Sequence, residues 1–100
     1  MMVKIYRQGD VLLREVDEMP KKARKRETDV ILEGEVTGHA HRIQHGTIYD
    51  LWDQTFVRAG KDAVIVHDEH GPIPIEKGLY EVIRQMEYDP ASPRNNWVED

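Results

Sequence analysis

Cysteine is absent from the chain, which removes disulfides, thiolate zinc sites and cysteine nucleophiles together. Any metal ion would have to be held by nitrogen and oxygen. Long apolar stretches are missing as well: the longest, Ala63 to Val66, is four residues, against the roughly 20 needed to span a bilayer as a helix. Lys4 and Arg7 are not followed by an apolar segment of the kind a secretory leader requires. The expectation is a soluble, cytoplasmic protein with no membrane partner. No glycine-rich phosphate loop occurs, and no serine stands in a nucleophile elbow, so covalent catalysis has no obvious agent.

One hundred residues, 39% of them hydrophobic and 33% charged, suit one folded domain with one core. The net charge of −5 repels nucleic acid and anionic membranes from the molecule as a whole. Lys21, Lys22, Arg24, Lys25 and Arg26 are the exception, five cations within six residues. Everything outside that segment carries nine positive and nineteen negative side chains.

Short β-prone runs separated by turn residues dominate the rest. Gln8-Gly9-Asp10 divides the first sixteen residues into two such runs, and Pro20 ends the second. Residues 20–28 lack the apolar positions that would bury a strand or helix face and read as a mobile basic loop. Beyond it come Asp29 to Glu33, His39 to Gln44 with a turn at His45-Gly46, Ile48 to Trp52, and Thr55 to Arg58. Ala59-Gly60-Lys61 reads as a hairpin loop leading into Asp62 to His67. Two prolines mark Ile73-Pro74-Ile75 as an edge or irregular segment. Leu79 to Tyr88 is the longest strand candidate and is expected to be central. The spacing predicts a mostly β fold, a small barrel or sandwich, over residues 1–88, with a C-terminal tail over 89–100.

Four of the five histidines fall into two short clusters. In Gly38-His39-Ala40-His41, strand alternation places both imidazoles on one face, within reach of one ion. His67 and His70, in His67-Asp68-Glu69-His70-Gly71, are the natural further ligands. Both cannot share a face of an extended strand, so one depends on the turn at Gly71-Pro72. Isolated histidines are commonly surface or core residues, and it is the clustering that points to metal. A histidine and carboxylate set favours a site with an open position over a structural staple. The expected cofactor is a divalent transition metal such as Zn, Fe, Mn or Ni. Glu69 would be a ligand, orient a ligand ring, or act as general base on a metal-activated water. Arg42, Arg84 and Gln85 could reach into a pocket beside the ion or equally lie on a solvated strand face, and His45 reads as a turn residue.

Gly34 followed by Gly38-His39-Ala40-His41 resembles the first metal motif of the cupins, in which a glycine precedes H-x-H on a barrel strand. The resemblance implies a metal held inside a small cupin-like barrel. The paired Gly-His-x-His and His-x-Glu-His motifs are also similar to those of uncharacterised small bacterial or phage proteins.

These observations favour a metal-dependent enzyme acting on a small-molecule or phosphodiester substrate, hydrolytic and of nuclease type if the basic loop grips phosphates. The alternative is a non-enzymatic module that recognises nucleic acid or a protein through Lys21, Lys22, Arg24, Lys25 and Arg26. No aromatic residue interleaves with those charges in the sequence, which favours a solvated loop. Tyr49, Trp52, Tyr80, Tyr88 and Trp97 read as core or interface residues. A homodimer would use the edge at Ile73-Pro74-Ile75 or the tail around Trp97.

Overall fold

A computed structural model of the chain describes residues 3–33 and 39–84. The expectations for Gly34, Gly38, Gln85, Tyr88, Trp97 and the tail 89–100 lie outside them. Among the described residues eight strands follow in order: β1 Ile5–Gln8, β2 Val11–Glu15, β3 Arg24–Lys25, β4 Val30–Glu33, β5 Ala40–Leu51, β6 Gln54–Val66, β7 Ile73–Pro74 and β8 Gly78–Arg84. They form one antiparallel sheet in the order β1-β2-β8-β6-β5-β3, with β4 against the start of β5 and β7 against the end of β6. The mostly β expectation holds. Among the described residues the sheet does not close into a barrel, because β1 and β3 end the ladder without pairing to each other, nor is it split into the two sheets of a sandwich.

The long β5–β6 hairpin is the spine, and the shorter strands flank its two halves. Its ladder shifts between Gln44↔Val64 and Gly46↔Ala59, so His45 on β5 faces four residues, Gly60 to Ala63, on β6. His45 (φ 62°) and Asp62 (φ 63°) take left-handed backbone at this bulge. The bulge reverses side-chain parity along β5, so Ile43 and Ile48, five apart, both enter the core. A Cβ on Gly46 would stand 2.7 Å from Ile43 Cγ1, which keeps that position glycine. Turn signals at His45-Gly46 and Ala59-Gly60-Lys61 therefore mark a bend inside two continuous strands. The hairpin loop expected at residues 59–61 is not one, and β6, with 13 residues, is longer than β8.

Val11 and Leu13 of β2, Ile31 of β4, Ile43 and Ile48 of β5, Val57, Ala59, Ala63 and Ile65 of β6, Ile75, and Tyr80 of β8 form one buried cluster. β8 lies between β2 and β6, an interior place in keeping with its apolar run. Tyr80, fully buried, donates its hydroxyl hydrogen to the Glu76 carbonyl at 2.7 Å. Burial pushes its pKa well above the ordinary tyrosine value, with Tyr6 adding to the effect.

The basic segment is not a free loop. Arg24 and Lys25 form β3, opposite Asp50 and Tyr49 of β5. Arg26 is a pin: its guanidinium meets both carboxylate oxygens of Asp50, at 2.6 and 2.5 Å. The same group donates to the carbonyls of Val30 (2.7 Å) and Ile31 (3.1 Å). Its own backbone N–H donates to the Ile48 carbonyl at 2.7 Å. The fork geometry of arginine fits this work, which a lysine could not do. Lys21, Lys22, Arg24 and Lys25 remain exposed. No helix among the described residues is long and apolar enough to cross a membrane.

Candidate metal centre

His41, second residue of β5, is the one fully buried histidine, 1% exposed. A buried imidazole needs partners for both ring nitrogens, and these come from the β1–β2 turn. Gln8 ends β1 with its side chain buried. Its amide nitrogen donates to the carbonyls of Ile65 (3.1 Å) and Gly71 (2.8 Å). The opposite amide orientation would set Oε1 against those two carbonyl oxygens, so the amide oxygen faces His41 Nδ1 at 2.9 Å. An amide oxygen only accepts, hence His41 carries its proton on Nδ1.

The consequence lies on the other side of the ring. With Nδ1 protonated, neutral His41 presents the Nε2 lone pair to Asp10 Oδ1, 3.3 Å away. Two acceptors facing each other need a proton or a cation between them. Burial pushes the His41 imidazolium below the ordinary histidine range, and the His67 and His70 rings push the same way, outweighing the carboxylate of Asp10. The separation suits a shared ion: two donors about 2.1 Å from one tetrahedral ion stand about 3.4 Å apart. Asp10 is steadied on its other oxygen by Arg84 Nε at 3.3 Å.

The other histidines gather around this pair. The His67 ring centroid lies 4.3 Å from that of His41, 4.7 Å from that of His70 and 6.0 Å from that of His39. His41 and His70 are nearly parallel at 6.2 Å. His39 Nδ1 stands 3.4 Å from Glu69 Oε2, a second nitrogen–carboxylate pair of similar span. Gly9 (φ 60°) makes the close packing possible: a Cβ there would lie 2.6 Å from His70 Nε2 and 3.4 Å from His41 Cε1. Both conformation and space require glycine.

His67 has a different task from the ligand role expected of it. Its Nδ1 accepts the backbone N–H of Glu69 (3.0 Å) and, more weakly, that of His70 (3.4 Å). That lone pair holds the turn, which places the neutral ring's proton on Nε2. Among the described residues no group of three or more His, Asp or Glu side chains converges closely enough to hold an ion as placed. The close nitrogen–carboxylate pairs among these side chains are His41 with Asp10 and His39 with Glu69.

Of the side chains expected to reach this site, Arg84 does so, whereas Arg42 turns to Asp29 Oδ1 at 3.1 Å. Gln8 and Asp10 were not foreseeable as site residues. Their local pattern reads only as a turn, and the curl of the sheet that brings β1 to the start of β5 has no signature in either segment.

A pH effect follows for the metal-free chain. The folded His41 titrates below its unfolded value of 6.5, so the unfolded state binds more protons in the interval. Stability is then complete above about pH 6.5 and declines as pH falls toward the folded value. The urea midpoint of chelator-treated protein should drop between pH 7.5 and 5.5, and less so in His41→Gln. An equal drop in both proteins would show that His41 is not the group responsible.

A family model described as Domain of unknown function (DUF8820) matches residues 7–85. No curated protein matches the chain, and no solved structure does.

Proposed function

The chain belongs to that family of unknown function, and we propose from its geometry that it binds a divalent transition metal between His41 and Asp10 and uses it in hydrolytic chemistry. The observation that carries this reading is the Nε2 lone pair of His41, fixed by Gln8 and aimed at Asp10 Oδ1 across 3.3 Å. With the His67 Nδ1 lone pair engaged in the turn, His70 is our candidate for a third ligand, which would give a two-histidine, one-carboxylate set with open positions. His39 and Glu69 lie beside it, Glu69 exposed and free to take a proton from water. Bound there, the ion would supply Lewis acidity and lower the pKa of water. The likeness of Gly38-His39-Ala40-His41 to the cupin motif supports a metal role for the start of the same strand.

Imidazole ligands must be neutral, so protons compete with the ion. Tag-free protein purified without chelator should carry close to one equivalent of metal at pH 7.5 and lose most of it at pH 5. His41→Ala and Asp10→Asn should each abolish retention. Metal retained at pH 5, or retained equally by both variants, would remove His41 and Asp10 from the site.

A further inference from the structure

The β5–β6 hairpin turns at Trp52-Asp53, and Trp52 is 92% exposed with φ 55°. Gly9 holds the corresponding first position of the β1–β2 turn, with φ 60°. A large side chain in left-handed backbone costs about 1–2 kcal/mol relative to glycine. A full indole in water at that position contributes nothing to the core, so neither packing nor backbone conformation accounts for it.

Its surroundings supply a reason. Arg24 stands opposite Asp50, two residues from Trp52, and Lys25 opposite Tyr49. The Arg58 guanidinium carbon lies 6.0 Å from the centroid of the Tyr49 ring, at the outer limit of a cation–π contact. Lys21 and Lys22, in the turn just before β3 in the chain, are exposed as well. Arg26 neutralises Asp50, leaving Asp53 and Glu27 as the exposed carboxylates within three residues of Trp52 or Arg24. Lysine on an edge strand discourages strand pairing, but that purpose needs no tryptophan. The aromatic missing from the basic segment in sequence is brought beside it by the pairing of β3 with β5.

We infer that this edge binds single-stranded nucleic acid, with a base stacked on Trp52 and phosphates held by Lys21, Lys22, Arg24, Lys25 and Arg58. Charge complementarity selects a phosphate chain, and the exposed indole selects one whose bases are free to stack. An anionic lipid surface fits less well: it would face much more of a molecule with net charge −5, whereas a flexible strand follows the local patch within a Debye length of about 8 Å. Trp52 and His41 lie at opposite ends of β5, so the bound strand is not the substrate of the metal centre. The surface does not depend on the hydrolytic reading.

The test is fluorescence anisotropy of a labelled 12-nucleotide oligothymidylate titrated with the full chain at several salt concentrations, with and without chelator. Binding should weaken with salt along a log–log slope of about −3 to −4, the value for five phosphates on a single strand. Trp52→Gly should weaken binding about tenfold or more while raising the melting temperature, and Trp52→Tyr should retain most of the affinity. The combination of a more stable protein and a weaker complex is not what a structural role for Trp52 would give. The assignment is overturned by absence of binding, by Trp52→Gly binding as tightly as the parent, by equal affinity for duplex, or by loss of binding with chelator. Capture by phosphatidylserine vesicles without oligonucleotide binding would assign the patch to lipid and equally overturn it.

Discussion

Arg26→Met lowers the stability of the fold by about 2–3 kcal/mol, a large share of the 5–15 kcal/mol that holds a domain together. The guanidinium reinforces strands whose backbone ladders are short: from the residue after β3 it meets Asp50 of β5 and the Val30 and Ile31 carbonyls of β4. Methionine fills the space of the arginine stem but leaves the Asp50 carboxylate and two carbonyls without that donor. Removing one partner of a buried, hydrogen-bonded pair costs about 3–5 kcal/mol, and the partial exposure of this pair, 27% and 34%, reduces the figure. Asp50 retains Thr55 Oγ1 at 3.0 Å, which reduces it further. Thermal unfolding should show a drop of about 10–20 °C for a domain of this size. The Arg26 guanidinium holds the Asp50 carboxyl below the usual carboxylate range, so its contribution is present above pH 4 and fades as pH falls through the folded value. The difference between parent and variant should therefore narrow in acid. A loss below 0.5 kcal/mol at pH 7 would place Arg26 among ordinary surface cations.

Gln8→Met should damage fold and site together. Gln8 is 2% exposed, and its amide makes three contacts: to the end of β6, to the turn after it, and to His41. Where the backbone leaves the sheet open, this side chain ties the β1 end across to β6. Methionine matches it in length and leaves two carbonyls and the His41 Nδ1–H without their partner, at about 1–3 kcal/mol for each group that water cannot reach. We expect a net loss of about 2–3 kcal/mol, since Gly71 is exposed and its carbonyl can be hydrated. The effect on metal is separate: without the amide oxygen nothing selects the tautomer whose Nε2 lone pair faces Asp10, and metal affinity should fall about 10–100-fold. Calorimetric titration under folding conditions separates the two effects. Unchanged affinity in a destabilised variant would mean that the amide supports the sheet alone.

These two residues show which parts of the molecule could be read from sequence. The strands containing Val11, Leu13, Val57 and Ile65 announce themselves by alternation, and their inward faces are those the pattern gives. The pattern fails at His45, where one extra residue reverses parity and joins what look like two strands on each side of the hairpin into one. His39 and His41 carry a period-two signal and could be named in advance. Gln8 and Asp10 could not, because their distance from His41 along the chain is closed only by the curl of the whole sheet. Arg26 sits in a run of like charges that reads as solvated, and its partner Asp50 is 24 residues away. Trp52 reads as a core or interface aromatic, and its 92% exposure removes the first of the two.

Anomalous scattering from crystals grown with zinc, recorded on both sides of the metal edge, tests the central claim most directly. The account predicts one peak about 2.1 Å from both His41 Nε2 and Asp10 Oδ1, with His41 Nδ1 still bonded to Gln8. Zinc found only on surface carboxylates or on His45, with the gap between His41 and Asp10 occupied by a hydrogen bond alone, would contradict it.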